Sequence, residues 1–129
     1  MSAAAGRPPR GSPPRAERSF HLSMQHDDAT LHLRLTGALE WGCVGRVEAA
    51  VDQASQVRAS RVVVDLRELD FLDLAGLRAL LRANDRARAE RFELIVVRPR
   101  RQVRRIFTLT RAGKELTMVD RAPGSDHPG

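Results

Sequence analysis

The sequence predicts one small α/β domain, a central mixed β-sheet with helices packed on it, in the order β-β-α-β-α-β-α-β. Three observations predict it. Apolar and polar residues alternate over 20–25 and 31–36, the period of half-buried strands; residues 42–56 and 74–90 repeat their apolar residues at helical spacing; and the runs 61–66 and 92–97 are rich in β-branched residues. With 129 residues there is room for one hydrophobic core of ordinary size and not for two.

Each element follows in order. Phe20, Leu22 and Met24 interleave with His21, Ser23 and Gln25, and Leu31, Leu33 and Leu35 interleave with His32, Arg34 and Thr36. Asp27-Asp28-Ala29 between them is short and polar enough for a hairpin turn, and Gly37 ends the second strand. Val44, Val47, Val51 and Ala54 form the buried stripe of a first helix. Val62-Val63-Val64 reads as a mid-sheet strand covered on both faces. In the second helix, Leu77, Leu80, Leu81 and Ala87 share one face, Arg78, Arg82 and Arg86 the opposite one, and Asp73 is a natural N-cap. After the 92–97 strand, Pro99 marks a break before a short helix that carries Val103, Ile106, Phe107 and Thr110 inward, with Gly113 near its C-terminal end. Residues 116–119 add a last short strand. Residues 1–18 hold four prolines and four arginines and no large apolar residue except Met1, so they read as a disordered basic tail. Residues 121–129 are similar in kind, leaving a domain over 19–120.

Composition narrows the function. Net charge is +6, from 22 basic and 16 acidic residues, and every basic residue but Lys114 is arginine. A nucleic-acid or lipid-headgroup partner is one reading of such a bias, but base composition of the genome is the favoured account. Aromatic residues for base stacking are nearly absent and no nucleic-acid reader motif is present, which argues against specific nucleic-acid binding. Cys43 alone excludes an internal disulfide and is read as a small packing residue. His21 and His32 are too few for a metal site. No stretch approaches the roughly 18 apolar residues of a membrane span, and the N-terminus lacks the apolar core of a signal peptide, so a cytoplasmic protein without membrane insertion is expected. Trp41 fits either a core cap or an exposed anchor. Asp65, Glu68, Asp70 and Asp73 crowd the end of a buried strand, a favoured ligand position in α/β sheets. A phosphoacceptor site would also need an acidic pair after the first strand and a late lysine, and neither is there. No Gly-rich phosphate loop, cofactor motif or nucleophile set can be assembled either, so no enzyme and no cofactor are expected.

The element order and the stretch VVVDLRELDFLDLAGLRALLRANDRARAERFELIVVRP, residues 62–99, resemble the STAS domain family of anti-sigma factor antagonist type. Thr36-Gly37-Ala38-Leu39-Glu40 stands where the family commonly has a Gly-x-Leu-Asp turn, and Asp73-Leu74-Ala75-Gly76-Leu77 is similar to its Asp-Ser-Ser/Thr-Gly loop. The resemblance implies a protein that binds an anti-sigma factor, a histidine-kinase-like ATPase, and so releases a sigma factor. In the family a hydroxyl of that loop is phosphorylated by the same kinase, which switches binding off. Here Leu74 and Ala75 occupy the hydroxyl positions, and no Ser or Thr lies between Arg61 and Thr108. The phospho-switch is therefore expected to be absent. Asp73, Leu74, Ala75, Gly76, Arg78, Arg82 and Arg86 are the expected partner surface. Arg101, Arg104 and Arg105 crowd the start of the third helix, where positive charge opposes the helix dipole, and are candidates for an anionic partner. A regulatory or structural subunit of a transporter or signalling assembly is the alternative use of such a domain.

Overall fold

The computed structural model describes residues 19–123. Strands β1 (Phe20–Asp27) and β2 (Thr30–Leu39) form an antiparallel hairpin whose tight turn puts Asp28 at φ +52°. A single 3-10 turn, Trp41–Cys43, leads into α1 (Val44–Gln56), and β3 (Arg61–Leu72) follows. Next come α2 (Leu74–Glu90), β4 (Glu93–Val97), α3 (Arg101–Leu109), a one-turn α4 (Ala112–Glu115) and the two-residue β5 (Met118–Val119). The sheet order is β1-β2-β3-β4-β5, antiparallel only at the β1/β2 pair, which makes it the expected mixed sheet.

This order has a consequence for the layers. Each parallel strand is added on the same side of its predecessor, and right-handed crossovers then carry every helix to one face. That face holds the main core, with Leu31, Leu33 and Leu35 of β2, Val62, Val64 and Leu66 of β3, and Val47, Val51, Leu77, Leu80, Val103 and Phe107 from the helices. Among the described residues the other face has no helix. β3 is thus the mid-sheet strand covered on both faces that its composition implies, but the cover on this second face is not a helix: Val63 and Val97 are buried there against Ala122 and Val119. Packed chain accordingly continues past residue 120, where the C-terminal tail was expected to begin. The expected tail over 1–18 lies outside the described residues, as do residues 124–129.

Several boundaries differ from the expectations above for physical reasons. Gly37 does not end β2; it takes φ +90° at a register shift, and the strand runs on to Leu39 beside the extended β3. A Cβ on Gly37 would stand 1.7 Å from the Ser19 carbonyl oxygen, so only glycine fits this bulge. In β1 the apolar face emerges from the core along its length: Phe20 is buried but Met24 is 45% exposed. Thr110 caps α3 and is exposed, not inward. The break after α3 is made by Arg111 at φ +64°, while Gly113 lies within α4.

Gly76 sets the distance between α2 and the sheet. A Cβ there would meet the Leu39 carbonyl oxygen at 2.6 Å and the Leu72 Cδ1 at 2.7 Å, and the first of these is backbone that cannot step aside. Gly45, in contrast, has nothing within 4 Å of its would-be Cβ. Gly76→Ala is expected to cost about 1–3 kcal/mol by overpacking, whereas Gly45→Ala should gain about 0.5–1 kcal/mol through helix propensity. Urea unfolding checks both, as opposite shifts of midpoint at constant slope; equal effects would show that α2 does not press on β2.

Candidate partner-docking site

The N-terminus of α2 is built around one carboxylate. Asp73, in extended conformation, accepts from the Gly76 backbone N–H through Oδ1 at 2.8 Å, the N-cap bond expected from sequence. Its Oδ2 accepts from the Trp41 backbone N–H at 3.0 Å. The Asp73 N–H in turn donates to the Leu39 carbonyl at 3.3 Å. The end of β2, the 3-10 turn and the start of α2 are therefore pinned together, and two exposed apolar residues are brought to one end of the domain: Trp41, 78% exposed, and Leu74, 47% exposed. Ala75 beside them is half-buried and Arg78, one turn on, is exposed.

The expected partner residues divide by what they touch. Leu74, Ala75 and Arg78 remain available at the surface, whereas Gly76 is buried and serves packing, and Asp73 spends its carboxylate on the cap. Arg82 pairs with Glu48 of α1 at 2.9 Å, and Arg86 pairs with Asp52 of α1, with Glu90 at 2.8 Å and with the Ser55 hydroxyl. These side chains close over a groove of about 340 Å³ between α1 and α2 whose floor includes Val47, Val51, Ala79 and Ala83. Exposed pairs of this kind contribute only about 0.2–1 kcal/mol each, so they can be exchanged for a partner's carboxylates at little cost. Trp41 is the residue that sequence reasoning left open; its exposure follows from the 3-10 turn that carries it outside the α1 stripe.

Arg101, Arg104 and Arg105 lie on the exposed side of α3, and Arg104 Nε donates to the Pro99 carbonyl at 2.9 Å. The acidic residues at the end of β3 do not converge. Arg100 holds Asp70 at 2.8 Å and approaches Glu68 at 3.8 Å, while Asp65 lies further back on the helix-free face. Asp65 is 8% exposed. Its carboxylate accepts from the Arg67 N–H and Nε, both at 3.0 Å, and from Arg67 Nη2 at 2.8 Å, with Arg34 Nε 4.0 Å away. Burial pushes the Asp65 carboxyl up, but the bonds from Arg67 and the charges of Arg67 and Arg34 outweigh it and hold the group below its ordinary range. An acid so committed is structural. Among the described residues no group of three or more His, Cys, Asp and Glu could hold a metal, and no helix is long and apolar enough to cross a membrane.

The architecture is that of a STAS domain, and the chain belongs to the Mlab STAS-domain family, whose model matches residues 22–120. Among solved structures it is similar to an anti-sigma factor antagonist from Mycobacterium paratuberculosis, at 22% identity and a TM-score of 0.69 over 84% of this chain and 90% of that one. It is also similar to the Bacillus cell fate determinant SpoIIAA in its phosphorylated form, at 22% identity and a TM-score of 0.59 over 78% and 91% of the two chains. The unphosphorylated anti-sigma factor antagonist SpoIIAA gives 22% identity and a TM-score of 0.64 over 78% and 88%. At this identity the likeness is one of fold. No curated protein matches the chain.

The Asp65 geometry predicts a pH dependence. A carboxyl whose folded value is depressed adds stability above its unfolded value, and that stability is lost as pH falls through the folded one. Asp65→Asn should cost about 1–3 kcal/mol at pH 7, and the gap to wild type should shrink as pH falls below the ordinary aspartate value of about 4. Urea midpoints of both proteins from pH 7 down into the acid range are the check; a gap that widens as pH falls would contradict it.

Proposed function

We propose that this protein acts in the cytoplasm as an anti-sigma factor antagonist: it occupies a histidine-kinase-like anti-sigma factor through the surface around Trp41, Leu74, Ala75 and Arg78, and does so without a phospho-switch. The observation that carries this reading is the capped, hydroxyl-free first turn of α2, with Leu74 exposed and Ala75 half-buried, set beside Trp41 at one end of a STAS domain. An exposed tryptophan next to leucine and arginine has the composition of an interface centre, where Trp and Arg are the residues that most often carry binding energy. Arg82 and Arg86 extend the surface along α2 if their pairs to α1 are exchanged for acidic groups of the partner, and Arg101 and Arg105 offer a second basic edge that would speed encounter more than it deepens affinity. Phosphorylation of the loop needs an oxygen that neither Leu74 nor Ala75 has. Control then falls to abundance or to a competing binder.

A second reading is favoured by the same absence. A domain that binds constitutively is what a permanent regulatory or structural subunit of a transporter or signalling assembly requires, and loss of the hydroxyls removes nothing from that role. Co-purification distinguishes the two: a kinase-like ATPase supports the first, transporter components the second.

Ala75→Glu tests the surface. A charge placed in a desolvated interface costs several kcal/mol unless it finds a partner, or about 100-fold or more in affinity. The fold should tolerate the change, because acid is favourable in the first turn of a helix. In a pull-down with the candidate anti-sigma factor, wild type should bind in the presence of ATP and Ala75→Glu should not, with matching melting temperatures. Equal binding by the two would overturn the surface, and phosphate incorporated into residues 61–107 of wild type would overturn the switch-free reading.

A further inference from the structure

A second concave site lies away from the α2 surface, where α3 and α4 meet the β4/β5 edge. It is a cavity of about 460 Å³, within the size range of small-molecule sites. Arg98, Arg104, Arg111 and Lys114 line it around an apolar floor that includes Phe107 and Met118, and no carboxylate is among its lining residues. The four cations come from separate stretches of chain: Arg98 just after β4, Arg104 in α3, Arg111 at the α3/α4 junction and Lys114 within α4.

Their bonding shows which charges are free to act. Arg98 gives its Nε to Asp120 at 3.0 Å and Arg104 gives its Nε to the Pro99 carbonyl, so each is held in place with other N–H groups left over. Arg111 and Lys114 make no side-chain hydrogen bond or ion pair with any described residue. Arg111 also holds φ +64°, the left-handed region that costs a side-chain-bearing residue energy, at a helix break where glycine would fit more easily. Arg98 is compensated by Asp120, but Arg104, Arg111 and Lys114 have no carboxylate partner among the described residues; their like charges repel one another around the cavity, and an anion of more than one charge relieves that repulsion. The floor of Phe107 and Met118 gives an apolar moiety somewhere to rest.

We propose that this cavity binds a phosphate-bearing ligand, its phosphate groups held by Arg98, Arg104, Arg111 and Lys114 and its apolar part set against Phe107 and Met118. Guanidinium groups match phosphate oxygens bidentately and lysine adds a point charge. The site is independent of the α2 surface, so that it holds whether or not the partner there is an anti-sigma factor. A soluble organic phosphate and a lipid headgroup share this chemistry, and the experiment separates them.

Calorimetric titration of the full chain with ADP and with pyrophosphate, at 150 mM salt, is paired with flotation on vesicles of phosphatidylglycerol or of phosphatidylcholine. The variant is Arg111→Ala with Lys114→Ala; the control, Arg58→Ala with Arg88→Ala, removes the same charge at exposed positions outside the cavity. ADP is expected to bind saturably and more tightly than pyrophosphate, with affinity falling at least tenfold in the cavity variant and less than threefold in the control. Binding only to phosphatidylglycerol vesicles, lost in the cavity variant alone, would support the same site with a lipid as its source. No binding to any probe, or equal loss in variant and control, would overturn the proposal.

Discussion

The Asp73 carboxylate holds N–H groups from two different elements, Gly76 at the start of α2 and Trp41 just after β2, and the geometry of that end of the domain depends on it. The cap alone would stabilise one helix terminus. Because the second oxygen reaches Trp41, the same side chain also fixes where the 3-10 turn leaves the sheet, and so where Trp41 and Leu74 are displayed. Gly76 completes the constraint from the other side. With no Cβ, it lets α2 approach the Leu39 carbonyl closely enough for the Asp73 bonds to form. The start of α2 thereby becomes a rigid platform, the condition under which side chains such as Leu74 and Ala75 can be presented to a partner without a large ordering cost.

The arginine excess divides in a way that composition conceals. Arg34 and Arg67 face Asp65, Arg61 pairs with Glu93, Arg82 and Arg86 bridge to α1, and Arg98 and Arg100 hold Asp120 and Asp70. These arginines are structural, and as exposed pairs most contribute little individually. The residues without such partners include Arg78 beside Leu74, Arg101 and Arg105 on α3, and Arg111 with Lys114 at the cavity. A uniform compositional bias explains how many arginines there are. It does not explain why Arg98, Arg104, Arg111 and Lys114 surround one cavity with no lining carboxylate.

Much of the fold was legible in local pattern. The period-two runs of β1 and β2, the stripe of Val47, Val51 and Ala54, and the Asp73 cap are all short-range signals, and all appear in the structure. What escaped local reading depends on partners far away in sequence. Arg67 to Leu72 reads as a polar strand end, yet stays in β3 because Thr36–Leu39 of β2 offers it a ladder. The helix-free face follows from strand order, which no residue pattern of this chain discloses. Gly37 looked like a terminator because a glycine bulge and a strand end share the same residue preference. At the candidate site, Asp73 and Leu74 were legible from the helix start, while the burial of Gly76 and the exposure of Trp41 required the tertiary contact between β2 and α2.

The central claim is that a partner docks on the end of the domain that Asp73 organises. Hydrogen–deuterium exchange of the full chain, alone and in its co-purified complex, tests it most directly, because the Leu74 and Ala75 N–H groups belong to the first turn of α2 and have no helical acceptor. The account predicts added protection on complex formation at residues 40–43 and 74–78. Protection confined to the helix-free sheet face around His32 and Asp65, with no change at Trp41 or at the start of α2, would contradict it.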